Sequence, residues 1–265
     1  MQDYTSKKRF GIIFPDDGAF PYELCDHQFI TSWLADRNLE DAEGILYRKP
    51  VQTPESLPLT EFELCGYWAE EEGLLEAARE LRNKGCRSVV FACTSASFFG
   101  GIQYAKRQAQ FLSEAAGASA SSTALAFLAA LDVLGAKRVD VLSPYDPEIT
   151  DLFVKFLSEA DVNVGRVGHM TSGKVYKIDC KAEVAKFSSS LKESGDPILI
   201  PCTAVSSLRD EGSLERIAGR PVLTANRVTL WHALVLAGAS PVSLMPVLSS
   251  ARMLKLADST LRLPL

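Results

Sequence analysis

The stretch VVFACTSASF at Val89–Phe98 returns in altered form as ILIPCTAVSS at Ile198–Ser207. Each copy opens on a short aliphatic run, passes through Cys-Thr and breaks into small residues. Each also follows a helical pattern that ends near a glycine, Gly85 and Gly195. Two further pairs extend the match outward. KRFGIIFPDD from Lys8 aligns with KRVDVLSPYD from Lys137, and LDVLGA from Leu131 aligns with LVLAGA from Leu234. The offset shrinks from 129 residues to 109 to 103, so the repeat tolerates loops of unequal length and is far longer than a solenoid period. Cys-Thr at the same strand end in both copies is what makes a duplication more economical than chance similarity.

The segments between these anchors alternate in period. Strands are expected at Phe10–Phe14, Ser88–Ala92, Arg138–Leu142, Val162–Val167, Ile198–Ile200 and Pro221–Leu223. Amphipathic helices are expected at Leu74–Lys84, Ile102–Ala116, Ala124–Leu134, Ile149–Glu159, Ala182–Glu193 and Val228–Ala237. Strand–helix alternation implies an α/β fold with mainly parallel sheets covered by helices. Combined with the repeat, it divides the chain into two pseudosymmetric lobes, 1–117 with 226–265 and 118–225, with a site in the cleft between them.

Ligands of open α/β sheets bind beyond the carboxyl ends of the strands. Four turns of interest are expected there: Pro15-Asp16-Asp17-Gly18, Cys93-Thr94-Ser95, Pro144-Tyr145-Asp146 and Cys202-Thr203-Ala204. Two lobes facing each other about a pseudo-twofold axis bring Cys93 and Cys202 to one pocket from opposite sides. A thiol near a helix N-terminus is favoured as thiolate by unpaired backbone N–H groups. Two thiols flanking one carbon can act as a proton relay, or one can add to the substrate as nucleophile. Neither role needs a metal or an organic cofactor. The hydroxyls of Thr94, Ser95 and Thr203 and the phenol of Tyr145 are candidate donors for a carboxylate or its enediolate. Cys25, Cys65, Cys86 and Cys180 lack the symmetric context and read as small buried hydrophobes.

Composition narrows the class. The 265 residues are 47% hydrophobic and 23% charged with a net charge of −5, which is the profile of an ordinary globular protein. No basic surplus is available for a nucleic-acid backbone or an anionic membrane. No apolar run approaches a membrane span, and no signal peptide is evident. The six scattered cysteines form no CxxC pair and no metal-ligand spacing, so a cytoplasmic protein with reduced thiols is expected. The oligomeric state is left open, and a homo-oligomer is compatible with the chain.

Other features point away from chemistry. His27 reads as a surface residue, and His232 beside Trp231 as a helix-face or core histidine. His169 opens a loop after a second-lobe strand and either lines the pocket or simply connects elements. Glu70-Glu71-Glu72 reads as a solvated helix start. The chain has no GxSxG elbow, GxGxxG turn or phosphate-binding loop.

The residues that carry the repeat also carry a family likeness. The opening strand with Pro15, the segment CTSASFFGG, the run STALAFLAALDVLGAKRV followed by SPY, and PCTAVSS together resemble the aspartate/glutamate racemase superfamily. The branch is that of maleate cis-trans isomerase, arylmalonate decarboxylase and the ectoine-utilisation relatives. The resemblance implies two four-stranded lobes and a cofactor-independent site in the cleft. In the isomerase the first motif's cysteine attacks the double bond of maleate and the second serves in proton transfer. In the decarboxylase a glycine stands at the position of Cys93, and the second cysteine reprotonates the enediolate. This chain carries both Cys93 and Cys202, which favours an isomerase or racemase acting on a small carboxylate, with the decarboxylase second. A non-catalytic two-lobed binding protein is the reading from another class. The resemblance carries substrate-carboxylate roles onto Thr94, Ser95, Tyr145 and the Cys202-Thr203 turn. The isomerase's asparagine in the first turn has no counterpart, because Asp16-Asp17-Gly18 fills that turn. If Asp16 or Asp17 faces the cleft, maleate fits poorly and an amino-acid derivative of the ectoine-pathway kind fits better. Otherwise both face solvent or cap the helix that follows.

Overall fold

A computed structural model describes residues 7–16, 23–53, 58–171, 174–189 and 196–239. The described residues form eight strands, β1 (Lys8–Asp16), β2 (Ala42–Pro50), β3 (Ser88–Phe91), β4 (Ser119–Ser122), β5 (Arg138–Ser143), β6 (Asn163–His169), β7 (Ile198–Ile200) and β8 (Val222–Thr224). They form two four-stranded sheets ordered β2-β1-β3-β4 and β6-β5-β7-β8, with every pairing parallel. The two orders are the same order shifted by four strands. The duplication read from the Cys-Thr segments is therefore a duplication of the fold.

Ten helices are described: α1 (His27–Ala35), α2 (Glu61–Trp68), α3 (Glu71–Asn83), α4 (Thr94–Phe98), α5 (Gly101–Ala116), α6 (Thr123–Leu134), α7 (Pro147–Glu159), α8 (Cys180–Ser189), α9 (Glu211–Ala218) and α10 (Ala225–Leu236). The strands alternate between two cores, as a parallel sheet buried on both faces requires. In β1, Phe10, Ile12 and Phe14 point into a central core and Ile13 into an outer one; β3 repeats this with Val90 inward and Val89 and Phe91 outward. In the second sheet Val139, Val141 and Leu199 point inward, while Leu142, Ile198 and Ile200 face a third cluster under α8 and α9. The central core is shared by both sheets. It is filled by α6, α7 and α10, whose Phe127, Phe153, Phe156 and Trp231 are all buried. Helix α10 leaves the last strand of the second sheet, yet packs against α6 and against β1, β3 and β4 of the first.

Two further contacts lock the lobes together. The carboxylate of Glu23 in the short turn Glu23–Cys25 is buried and accepts from the N–H groups of Ser207 and Leu208 at 2.8 and 2.9 Å, and from Asn226 Nδ2 at 2.9 Å. Helix α5 begins at Gly101 with φ 78, where a Cβ would lie 2.7 Å from Glu159. The missing side chain lets the Glu159 carboxylate of α7 reach the Ile102 N–H at 2.8 Å.

Some expectations shift by a few residues and some elements went unforeseen. Strand β4 pairs with β3, so the first sheet extends past the expected 117/118 boundary through Ser122. Strands β2 and β4 and helices α2, α4 and α9 were not anticipated; a helix does follow the first turn, α1, and its N-cap is Asp26. The expected segments 240–265 of the first lobe and 190–193 of α8 lie outside the described residues. Glu70 does start a helix, as N-cap of α3, accepting from the N–H groups of Glu72 and Gly73.

Candidate active site

Both Cys-Thr turns emerge at the carboxyl ends of the third strand of their sheets. Cys93 follows β3 and is the N-cap of α4; it is buried. Cys202 follows β7 in an irregular turn, with no helix until Leu208, and is half-buried. The turns clasp each other across the lobes. The Cys202 N–H donates to Thr94 Oγ1 at 3.2 Å, and the Thr203 hydroxyl donates to the Ala92 carbonyl at 3.2 Å. Both donors come from the second lobe's turn and both acceptors from the first lobe's, so the two cysteine turns are tied directly to each other.

Tyr145 closes the third side. The turn after β5 is shaped by the Tyr145 N–H donating to Ser143 Oγ at 3.2 Å, and α7 is capped by Asp146, which accepts from the Ile149 N–H. The phenol is buried and hydrogen-bonded to Thr94 and Cys202. Burial pushes its pKa well above the ordinary value, reinforced by the negative charges that Cys202, Glu61 and Cys93 would carry. Tyr145 therefore stays a neutral donor within electrostatic reach of both cysteines.

The expectation that backbone N–H groups lower the thiol pKa fails for Cys202. Burial dominates and pushes it up to about 11, against partial relief from the Ala204 N–H, Tyr145 and the Val205 N–H. The physical reason is that no helix starts at this turn, and two amide donors do not offset desolvation. Cys202 is a protonated thiol at neutral pH. It is also the described cysteine with a left-handed backbone, φ 93.

The remaining expected site residues divide. Thr94 sits at the centre, bonded to Cys202 and Tyr145. Ser95 is buried and its hydroxyl bonds the thiol of Cys65. Thr203 is engaged with the Ala92 carbonyl. His169 ends β6, with Nδ1 3.3 Å from the Tyr145 carbonyl, so it stands beside the tyrosine turn. Asp16 ends β1 with an exposed carboxylate 3.7 Å from Arg48, the arrangement of a solvated surface acid. Asp17 lies outside the described residues. Among the described residues no group of three or more His, Cys, Asp or Glu could hold a metal ion. A groove of about 340 Å³ between Ile102, Leu128 and Glu159 contains none of these site residues.

Two site residues escaped the sequence reading. Glu61 opens α2, and burial raises its carboxyl pKa to about 7, helped by repulsion from Asp146 of the other lobe. It acts electrostatically on Cys202 and Tyr145. Its helix start was visible as the capping box Thr60–Glu63, but nothing local places that helix at the cleft. Lys49 of β2 is fully buried, donates to the Tyr67 carbonyl at 3.2 Å and lies 3.6 Å from Glu70. Burial lowers its pKa, while Glu70 and a negative Cys93 raise it, which puts an ammonium within electrostatic reach of Cys93.

Residues 41–245 match the arylmalonate decarboxylase family. The chain belongs to that family. An arylmalonate decarboxylase of Bordetella bronchiseptica is 26% identical over 179 residues, 65% of this chain and 74% of that protein. Among solved structures, the fold matches the maleate isomerase Iso from Pseudomonas putida S16 with a TM-score of 0.72 at 21% identity, over 87% of this chain and 93% of that one. It also matches the Nocardia farcinica maleate cis-trans isomerase holding a covalently bound succinylcysteine intermediate, with a TM-score of 0.72 at 19% identity, over the same shares of both chains. Members of the arylmalonate decarboxylase family and these isomerases share the Asp/Glu racemase-like fold, and this chain has its two parallel sheets and two-lobed arrangement. Its relatives are enzymes.

Proposed function

We propose that the protein is a cofactor-independent isomerase or racemase acting on a small carboxylate, with Cys93 and Cys202 on opposite faces of the reacting carbon. The observation that carries this reading is the pair of hydrogen bonds from the Cys202-Thr203 turn to Thr94 and Ala92, with both cysteines within electrostatic reach of one tyrosine. The roles divide by protonation. Cys202, held as a thiol by burial, is the proton donor. Cys93, at a helix start and within electrostatic reach of Lys49, is assigned the other role: as a thiolate it would attack a double bond or remove an α-proton. Tyr145 and Thr94 donate to the carboxylate as it becomes an enediolate. In the isomerase route the Cys93 sulfur bonds one alkene carbon, the C–C bond rotates, and the C–S bond breaks as the double bond re-forms. In the racemase route Cys93 takes the α-proton and Cys202 returns one to the other face.

Decarboxylation is the second reading, and the family match favours it. It needs Cys202 alone, so Cys93 is the discriminator. The test is deuterium incorporation at the α-carbon of a panel of small carboxylates, followed by NMR, for the wild type, Cys93→Ala and Cys202→Ala. Each variant should lose at least about 10²-fold in turnover, the scale of an acid–base role. Undiminished turnover in Cys93→Ala alone would transfer the assignment to the decarboxylase, and undiminished turnover in Cys202→Ala would overturn both.

A further inference from the structure

Glu61 is a cleft carboxyl that the chemistry above does not use. Its place is fixed by helix geometry. Cys65, one turn further along α2, is fully buried with its thiol on the Ser95 hydroxyl, so the helix face shared by residues 61 and 65 lies on the Cys93–Ser95 turn. Phe62 anchors the same helix by an edge-on contact with Phe99 at the end of α4, ring centroids 5.7 Å apart. From the opposite lobe, Asp146, Tyr145 and Cys202 all lie within electrostatic reach of the Glu61 carboxyl. No hydrogen bond from the described residues stabilises it, and its ionisation is opposed by burial and by Asp146. Glu61 is half-buried and its oxygens are not among the buried unpartnered atoms, so the carboxyl is open to a partner from outside the chain.

The charges around it indicate what that partner is. At Cys202 and Tyr145 every ionisable neighbour that shifts the titration is acidic: Glu61, Cys93 and the two residues themselves. The Lys49 ammonium acts at Cys93, where it is held by the Tyr67 carbonyl and Glu70. A dianion would place its second carboxylate against Glu61 and Asp146. A substrate with one carboxylate and one nitrogen donor meets neutral donors at Tyr145 and Thr94 and an acceptor at Glu61.

We propose that Glu61 is the specificity-determining residue of the cleft, its carboxyl accepting a hydrogen bond from an ammonium or amide N–H that the substrate carries beside its reacting carboxylate. The substrate class is thus an amino- or amido-carboxylate rather than a dicarboxylate. This rests on the reading of the cleft as a carboxylate site, and it replaces the role considered for Asp16, which faces solvent beside Arg48.

The probes are succinate, succinamate and β-alanine, which differ mainly in whether the second end is carboxylate, amide or ammonium. Binding is followed by NMR titration of the wild type, Glu61→Gln and Glu61→Asp. The wild type should bind succinamate or β-alanine at least about tenfold more tightly than succinate, the scale of one charge-assisted hydrogen bond. Glu61→Gln should erase that preference and Glu61→Asp should keep its direction, with both variants retaining the wild-type thermal transition. Equal or tighter binding of succinate by the wild type, no binding of either nitrogen-bearing probe, or an unchanged ratio in Glu61→Gln would overturn the assignment. The cysteine reading is tested separately. In Cys93→Ala and Cys202→Ala the binding order should persist while exchange is lost, so a failure of exchange chemistry and a failure of selectivity give different results.

Discussion

At Cys202 the chain turns through φ 93, a region that L side chains rarely occupy and that costs on the order of 1–3 kcal/mol. The strain is held by the bond from its N–H to Thr94 across the cleft and by the Val205 N–H donating to its carbonyl at 3.2 Å. A β-carbon in a conformation suited to glycine, at the residue assigned to proton delivery, implies that the thiol is retained for its chemistry. Cys202→Gly should therefore unfold with about 1 kcal/mol more stability than Cys202→Ala in urea titrations, since glycine relieves the strain and alanine keeps it. Both should lack turnover. A glycine variant less stable than the alanine variant would show that this turn is not left-handed in solution. The pairing of Cys93 with Cys202 was legible in the repeat, because identical dipeptides ended matched strands. The left-handed turn and the raised thiol pKa were not, because both depend on a partner lobe more than a hundred residues away. Glu61 was hidden for the same reason: its helix start is local, but what it faces is not.

Among the elements, those with strong periodicity and β-branched runs were legible, and those defined by their neighbours were not. Strand β4 is Ser119-Ala120-Ser121-Ser122, with no β propensity of its own, and is a strand because β3 offers it a parallel partner. Strand β2 mixes Ile45, Leu46 and Tyr47 with Arg48 and Lys49, which blurs its alternation at the sheet edge. Helix α4 has only five residues, too few for a helical period to show in the sequence. Helix α10, by contrast, is expected from its periodicity, and of the two expectations for His232, helix face or core, the structure shows the core. His232 is buried, with Nδ1 3.1 Å from Ser121 Oγ of β4, and the neighbouring bonds Thr123–Thr229 and Ser88 to the Ala233 carbonyl fix α10 on the first sheet. Burial lowers its pKa from 6.5 to about 4. The unfolded chain takes up this proton first, so the contribution is fully present above pH 6.5 and is lost as pH falls toward 4. Between pH 7 and pH 5 it removes about 2 kcal/mol from the wild type. His232→Gln lacks this group, so its loss over the same interval should be smaller by that amount in denaturant titrations at both pH values. Parallel losses in the two proteins would assign the acid sensitivity to other groups.

For the molecule as a whole, the two lobes share one core. Both sheets face a single central core, and α10 crosses from the end of the second sheet to cover the first. Thr94, Thr203 and Glu159 add polar links between lobes at the cleft and beside it. The Glu23 carboxylate is the most deeply committed of these links, because three of its partners are buried donors of the second half of the chain. Removing it by Glu23→Ala strands the N–H groups of Ser207 and Leu208 and the Asn226 amide, each worth about 1–3 kcal/mol when left buried and unpaired. Partial access of water to the cavity reduces the sum, so the expected loss is about 3 kcal/mol, or roughly 6–12 °C in melting temperature for a chain of this size. Because the core is shared, unfolding should remain one transition by calorimetry and by circular dichroism. Ser207 lies five residues beyond Cys202, so the same variant should also lower turnover below the melting range by loosening the turn that carries the thiol. A Glu23→Ala protein that melts in two separate steps would mean that the lobes fold independently. One that loses less than about 1 kcal/mol would mean that the carboxylate does not hold them together.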